Sequence, residues 1–431
     1  MMSSHLKTKS LLTVAAAASL AAVTPPASAA GFGIFEPKTL ALGGAGVAIA
    51  DSGNATFYNP ALLANYGYDE DKPGNGRLYF PASSLSISDS IFDAQDIEDD
   101  ELVDQISSAV SDFNTTQSVQ NAQTVVDSIG RLNSSLMDLQ DARVNADGFV
   151  GLVISEPGDG QGGAFYVGGR AYGSGLLNIT DTDLGLLDDY AEGLDFIASN
   201  GSRGQAHPEL FDATGNLIDP RDDLTSTATA LGVASVEVGV SFAQRFTVWG
   251  QDIALGATPK FSVFYTSEAF LDLQNNNVVT ATAEQSQRQL NLDLGFATQF
   301  GNWQLGLAVK DVFEQSLDTD LGNTIDIGVK PRLGLGYSNN RWLVGLDVDV
   351  IPIDTVGNNI KTQDLSFGVQ WRAFRQTYLR SGLRQDINNS ENSETVISLG
   401  LGTRWRSCLL DIAVAQSSDS QSAALQIGWV L

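Results

Sequence analysis

The 431-residue sequence holds one cysteine, Cys408, and two histidines, His5 and His207. A lone cysteine supports neither an internal disulfide framework nor a Cys-rich zinc site. Basic residues are also scarce, 24 against 51 acidic ones, for a formal net charge of -27. Contacts to a phosphate backbone need clustered Lys and Arg, so no nucleic-acid partner is expected. Beyond the first thirty residues no apolar run approaches the roughly 18 residues of a spanning helix, which excludes a multi-helix membrane protein. What remains is a soluble secreted β-protein or a β-barrel.

The first thirty residues have a different character. Lys7 and Lys9 precede an Ala-rich apolar run from Leu11 to Val23; Pro25 and Pro26 break it, and Ala27-Ser28-Ala29 has the small-x-small cleavage pattern. This predicts a secretory signal peptide over 1–30, with the mature chain starting near Ala30 or Gly31. Its removal leaves 22 basic residues against 51 acidic, a net charge of -29. With no Cys at the cleavage point, no lipid anchor is expected there.

From Gly148 onward the hydropathy has a period of two. Val236, Val238, Val240 and Phe242 alternate with Glu237, Gly239 and Ser241; Leu290, Leu292, Leu294 and Phe296 alternate with Asn291, Asp293 and Gly295. Val344, Leu346, Val348 and Val350 alternate with Gly345, Asp347 and Asp349. Each such segment has one apolar face and one small or polar face. Segments near 77–88, 148–156, 163–172, 231–246, 250–266, 289–300, 302–310, 329–338, 340–350, 364–374, 376–384, 395–405, 406–416 and 421–431 make about fourteen. Connectors at 301–302, 339–340 and 375–376 are short, whereas 173–230, 267–288 and 311–328 are long and polar. Strands of about ten residues, an even count and short turns opposite long loops predict an all-β, antiparallel transmembrane β-barrel of about 14 strands. Asp293, Asp347, Asp349 and Arg372 fall on the polar face, as lumen-facing residues do. Trp303, Trp342, Trp371, Trp405 and Trp429 sit near segment ends, where interfacial girdles form. A secreted β-sandwich is the competing architecture, because alternation alone does not say whether the apolar face meets lipid or a second sheet.

Ahead of the strands lie Leu40-Ala41-Leu42-Gly43-Gly44-Ala45-Gly46 and Ala55-Thr56-Phe57-Tyr58-Asn59-Pro60-Ala61. Gly43, Gly44 and Gly46 permit positive φ and close backbone approach. Asn59 before Pro60 is a helix-start signal, with Asn as cap and Pro at the first helical position, so a short helix through Leu63 is expected. Taken singly, these residues describe a tight turn and a helical stub. Together they resemble the N-terminal motif of the FadL-like outer-membrane barrels. That resemblance implies a plug inside the barrel, shaped by Gly43, Gly44, Gly46, Asn59, Pro60 and Ala61. The chain layout is similar to the TraF-like proteins encoded in plasmid conjugal-transfer operons, a branch of that superfamily that carries a polar helical insertion. The expected organisation is thus a signal peptide (1–30), a plug-like segment (31–76) and a barrel (77–431) interrupted by a helical insertion (93–143) and a long loop (173–230).

Two antiparallel helices are expected in the insertion. Leu102, Ile106, Val110 and Phe113 have helical spacing, as do Val126, Ile129, Leu132, Leu136 and Leu139, with a joint near 114–116. Their apolar stripe must bury against the partner helix, the barrel wall or another protein. Asp96, Glu98, Asp99, Asp100 and Glu101 lie at the first helix's start, where the macrodipole favours anions; they lack Ca²⁺-loop spacing, so no metal is assigned. A further helical piece is expected around Leu186–Ala198. In the last segment Ala423, Leu425, Ile427, Trp429 and Leu431 share one face, and Leu425, Ile427, Trp429 and Leu431 are expected to form the strand read by the barrel assembly machinery. Such strands end in an aromatic residue in the outer-membrane barrels that this chain resembles, and Leu431 departs from that.

Catalysis is not expected. After signal removal His207 is the only histidine, set beside Pro208 in a polar loop with no matching nucleophile motif. Acidic pairs such as Asp188-Asp189 and Asp222-Asp223 suit bridging by divalent cations at a cell surface. No cofactor is implied. The expected location is the outer membrane of a Gram-negative cell, in contact with its lipid. Two roles follow from the resemblance. One is a surface or assembly component of conjugal transfer, partnered by conjugation proteins; the other is a passive channel for hydrophobic small molecules such as fatty acids or aromatics.

Overall fold

A computed structural model describes residues 31–64, 76–88, 102–140, 143–200, 207–272, 277–282, 286–320, 322–354, 361–388 and 395–431. The expected signal peptide and Asp96, Glu98, Asp99, Asp100 and Glu101 lie outside the described residues. Fourteen antiparallel strands close into a ring: β1 (Arg77–Ser88), β2 (Arg143–Glu156), β3 (Gln161–Asn178), β4 (Thr227–Val248), β5 (Gln251–Asp272), β6 (Gln287–Phe300), β7 (Trp303–Lys310), β8 (Lys330–Ser338), β9 (Trp342–Asp349), β10 (Asp364–Phe374), β11 (Thr377–Asp386), β12 (Thr395–Trp405), β13 (Cys408–Gln416) and β14 (Ser420–Val430). Each strand pairs with its sequence neighbours, and β14 pairs with β1 to seal the wall, Arg77 opposite Val430 and Ser88 opposite Ser420. Closure leaves no open edge in the ring, the condition for crossing a bilayer with strands.

Which face points inward decides between the barrel and the sandwich. Apolar side chains face outward and are exposed: Leu290 at 73%, Leu399 at 57% and Val414 at 58%. Charged ones are buried inside, including Lys260, Asp293, Lys330, Arg332, Asp347 and Asp349. A water-soluble sandwich would reverse this pattern, and so the fold is an outer-membrane-type barrel. Leu425, Trp429 and Leu431 lie on the exposed face of the closing strand, with Ala424 and Gln426 turned inward. No described helix is long and apolar enough to cross a membrane.

Three expected boundaries are corrected. The span 173–230 is not all loop: β3 continues to Asn178 and β4 begins at Thr227, with Ser174 opposite Leu231. Small residues such as Gly173, Gly175, Ala228 and Ala230 carry little hydropathy contrast, so pairing rather than alternation defines these strand tops. The span 267–288 is likewise partly sheet, since β5 runs to Asp272 and Asn277–Thr282 pairs with its upper part. Within 311–328, Gln315–Asp318 and Thr324–Ile327 form a hairpin whose Leu317, Ile325 and Ile327 pack on Tyr172, Val233 and Phe264.

On the long-loop side the first two long loops carry three helices, α3 (Leu102–Thr115), α4 (Val119–Leu139) and α5 (Asp181–Asn200); α1 and α2 belong to the plug described below. The expected helix near 186–198 is thus a full 20-residue helix. Ile106, Phe113, Ile129, Leu132, Leu187, Leu194 and Leu217 form a core that includes no barrel-strand residue. The stripe of the α3–α4 hairpin therefore buries against its partner helix and α5. Polar stitches fix the assembly: Asn114 donates to Leu217 O and accepts from Leu217 N, and Asn133 donates to Asp188.

All six tryptophans lie at or beside strand ends on the short-turn side, because Trp249 in the β4–β5 turn joins the five expected from sequence. One aromatic rim therefore marks one interface. In vesicles, lipids brominated near the headgroup should quench most of the tryptophan emission, and lipids brominated at the chain terminus should quench much less. Equal quenching at both depths, or none, would contradict the assigned rim.

Candidate functional site

The lumen is filled by residues 31–64. Glu36 caps α1 (Pro37–Ala41), accepting from Lys38 N at 2.6 Å and from Thr39 N at 2.9 Å, with Pro37 at the first helical position. The helix ends at Gly43 and Gly44, both at positive φ (+67° and +95°), where Gly44 N donates to Thr39 O. This is a glycine helix terminus, and it turns the chain back across the lumen. Gly46 has no positive φ; it is small because a Cβ there would sit 2.9 Å from the Tyr58 ring. A second helix, α2 (Ala55–Tyr58), leads to Asn59. The short helix expected through Leu63 is present as a 3-10 helix, Pro60–Ala64. Asn59 Oδ1 accepts from Ala61 N, while its Nδ2 donates to Val47 O and, across to the wall, Phe296 O.

The wall meets this segment with its backbone. A Cβ on Gly382 would lie 2.2 Å from Gly43 N, one on Gly368 2.5 Å from Leu42 O, and one on Gly256 2.4 Å from Ala61 N. On Gly295 it would lie 2.2 Å from Asn59 Oδ1, and on Gly306 2.5 Å from Val47 O. These glycines are paired across strands, Gly256 with Gly295 and Gly368 with Gly382, and form a belt around much of the lumen. All six plug residues named from sequence come together here: Gly43 against β11, Gly44 near Ser366 of β10, Gly46 on Tyr58, Asn59, Pro60 and Ala61 against β5 and β6. Wall side chains satisfy plug backbone groups, Asp347 Oδ2 accepting from Gly46 N and Val47 N and Ser398 from Gly43 N, while the side chains of Asn54 and Gln426 exchange hydrogen bonds.

Sequence reasoning placed Asp293 and Asp349 on the lumen side but missed the cations they meet. Lys260 Nζ lies 2.9 Å from Asp293 and 2.7 Å from Asp311; Lys330 reaches Asp311 at 2.9 Å, and Arg332 pairs with Asp349. Lys310 forms no salt bridge among the described residues. It donates to Phe32 O and Phe57 O and lies 4.1 Å from the Phe35 ring centroid, so it holds the plug by carbonyls and a cation–π contact. Phe35, Phe57, Phe149 and Tyr166 stack beside it. The available signal was the charge on the polar face of β5, β7 and β8; sequence alone could not show that these charges meet. His207, on a half-buried loop, contacts Glu209 at 3.0 Å. No group of three or more metal-ligating side chains gathers among the described residues.

Two titrating plug groups stand against this background. Burial, with Asp51 and Asp411 nearby, raises Glu36 to about 7, although its bond from Thr39 and the charge of Lys38 pull the other way. Asp51 is half-buried, and although desolvation works against its charge, Lys38 and Arg380 hold it below the usual carboxylate range. The folded state keeps a proton on Glu36 that the unfolded chain loses above its ordinary pKa of 4.5. The Glu36 contribution is therefore complete below 4.5 and lost as pH rises to about 7, by roughly 3 kcal/mol at most. Denaturant midpoints should fall over that window, and Glu36→Gln should flatten the fall; an identical slope in the variant would refute this assignment. The glycine belt gives a second test. Gly382→Val forces the plug off the wall at a cost of about 1–3 kcal/mol. Trypsin should then cut after Lys38, which is buried in the parent, while heat-modifiable gel mobility persists. A variant as resistant as the parent would show that the belt does not hold the plug.

No curated protein matches the sequence. Among solved structures, a FadL homologue of Pseudomonas aeruginosa shares 10% identity over 93% of this chain and 100% of its own, with a TM-score of 0.48. The toluene transporter TodX of P. putida shares 11% over 94% and 99%, at 0.44, and the CymD monoaromatic hydrocarbon channel 9% over 92% and 97%, at 0.46. At these values the likeness is too distant to argue from. The family described as the TraF protein of the F plasmid transfer operon matches residues 56–349, from the plug motif through β9 and more than half of the chain, and the protein belongs to that family.

Proposed function

We propose that the protein is an outer-membrane surface component of conjugal transfer: a stoppered barrel that anchors an acidic helical cap for conjugation proteins, without catalysis. The carrying observation is the independent core of α3, α4 and α5. Two loops that needed only to join strands instead build a small domain, and its outer face is the part of the molecule free to meet a partner. Across residues 102–140, 179–200 and 207–226 acidic side chains outnumber basic ones fifteen to two, so the favoured partner surface is basic. Val119, Met137 and Phe196 add exposed apolar points to that face.

A passive channel for hydrophobic molecules is the second reading, and the lumen supports it less. A cavity of about 260 Å³ beside the plug is lined by Phe32, Ile34, Leu40, Leu85 and Val396 and by the charged Asp147, Arg170, Asp364, Arg384 and Asp386. An apolar solute there would meet those apolar side chains but would also desolvate five charged groups. Replacing 96–140 and 181–224 together by short Gly-Ser linkers avoids leaving α5 with an uncovered face. This variant should keep heat-modifiable mobility and lose most mating efficiency and partner capture. Normal mating by such an assembled barrel would sink the proposal, and uptake of a labelled aromatic by the parent barrel in vesicles would favour the channel.

A further inference from the structure

The cavity of about 260 Å³ at the long-loop end of the lumen has a lining of two kinds. Its floor is apolar: Phe32, Ile34 and Leu40 of the plug, with Val396 of β12. Leu40, Ile34 and Val396 pack together with inward alanines of β13 and β14, so this floor is fixed in place. Its wall is polar and comes from the long-loop ends of the strands. Ser84 and Ser86 of β1 and Ser422 of β14 bring hydroxyls. Asp147 and Arg170 on one side, and Asp364 and Arg384 on the other, bring charges of both signs.

Hydrogen bonds order this wall. Ser422 Oγ donates to Ser86 Oγ at 2.9 Å across the β14–β1 seam, and Ser84 Oγ donates to Ile34 O at 2.6 Å, which ties wall to floor. Asp147 accepts from Arg170 Nε at 2.8 Å, and Asp364 lies 3.5 Å from Arg332. Ion pairing does not close these carboxylates. The side chains of Asp147 and Asp364 remain 27% and 23% exposed beside the cavity they line, and a carboxylate has about four lone-pair sites. Each therefore accepts further hydrogen bonds while keeping its cation.

We propose that this cavity binds a saccharide. An apolar solute would strip water from the charged wall, and an ion of either sign would meet groups of its own sign around the same space. A sugar matches both parts of the lining. Each of its hydroxyls donates and accepts at once, so carboxylate, guanidinium and serine hydroxyl all find partners, with their ion pairs intact. Its C–H face covers the apolar floor. The volume, a little below the roughly 300–1,000 Å³ of most ligand pockets, suits a mono- or disaccharide unit. Long loops face the cell exterior in barrels of this type, so the sugar is either a free oligosaccharide or the end of a surface glycan. The site does not depend on the role proposed for the helical cap.

The full chain is purified in a polyoxyethylene detergent, because a maltoside would carry a competing sugar. It is titrated with maltotriose, or with the oligosaccharide released from purified lipopolysaccharide by mild acid, and the thermal midpoint is read. The midpoint should rise saturably with one or both probes. Ser422→Leu, which removes a hydroxyl and fills space, and Arg384→Gln, which removes the guanidinium, should each raise the half-effect concentration about tenfold or more. Ser83→Leu, on the opposite face of β1 from Ser84 and Ser86, should stay within about twofold. Every variant is first checked for heat-modifiable mobility, and Arg384→Gln alone decides if Ser422→Leu does not assemble. A response to maltotriose assigns the site to free oligosaccharide; a response to the lipopolysaccharide sugar alone assigns it to a surface glycan. No saturable response to either probe would overturn the proposal. So would parent-like behaviour of both cavity variants, or decanoate that binds more tightly than either sugar and is lost in Ser422→Leu.

Discussion

The structure depends on one close approach, backbone of the plug against backbone of the wall. A chain segment inside a barrel must satisfy its own N–H and C=O groups where little water reaches, and residues 31–64 are too irregular to do so alone. The wall supplies missing partners through Asp347, which accepts from Gly46 N and Val47 N, and Ser398, which accepts from Gly43 N and donates to Ala41 O. Those side chains reach the plug because Gly256, Gly295, Gly368 and Gly382 let the two backbones come together. A methyl group at any of these positions would open the gap and strand the polar atoms on both sides. Plug and belt are in this sense one unit, and Asn59 joins them by donating to both Val47 O and Phe296 O.

The same geometry explains the placement of charge. Strands that must present apolar side chains to lipid have only their inner face for polar chemistry, so Lys260, Lys330 and Arg332 and their carboxylates share the lumen with the plug. Isolated, each would be costly to bury; paired, they cross-link neighbouring strands at plug level. Lys310 is the exception, bound to plug carbonyls and lying over the Phe35 ring. It ties the position of the plug to a buried lysine that makes no salt bridge among the described residues.

Much of this was legible in the sequence. The segments counted from sequence match the fourteen ring strands, most of them by alternation from Gly148 onward, because lipid on one side and polar filling on the other give strong contrast along Leu290–Phe296 or Val344–Val350. Contrast fails where neither side is demanding: at 173–178 and 227–230 small residues face loop and water, and only pairing reveals sheet. The α3–α4 hairpin showed its period, whereas α5 is weaker in sequence because Gly185 and Gly193 interrupt it. The glycines of β5, β6, β10 and β11 were visible as the small face of each strand, but what they face lies about 200 to 340 residues away, Pro60 for Gly256 and Gly43 for Gly382. No local pattern encodes that meeting. The resemblance of the 40–61 motif to known plugs supplied a place for it, and the cross-strand register supplied the belt.

Polarity along the barrel axis carries the final step. At one end two loops carry a helical domain with its own core and a strongly acidic surface; at the other, loops shrink to turns of two to four residues, and arginines gather beside the tryptophan rim. A conduit for neutral solutes gains nothing from either feature, since an uncharged molecule responds to neither field. A barrel that must hold a fixed orientation while its two mouths meet different surroundings gains from both. Charge at the ends, apolar side chains around the girth and a lumen occupied by a plug held on the glycine belt are the features on which the proposed display role rests.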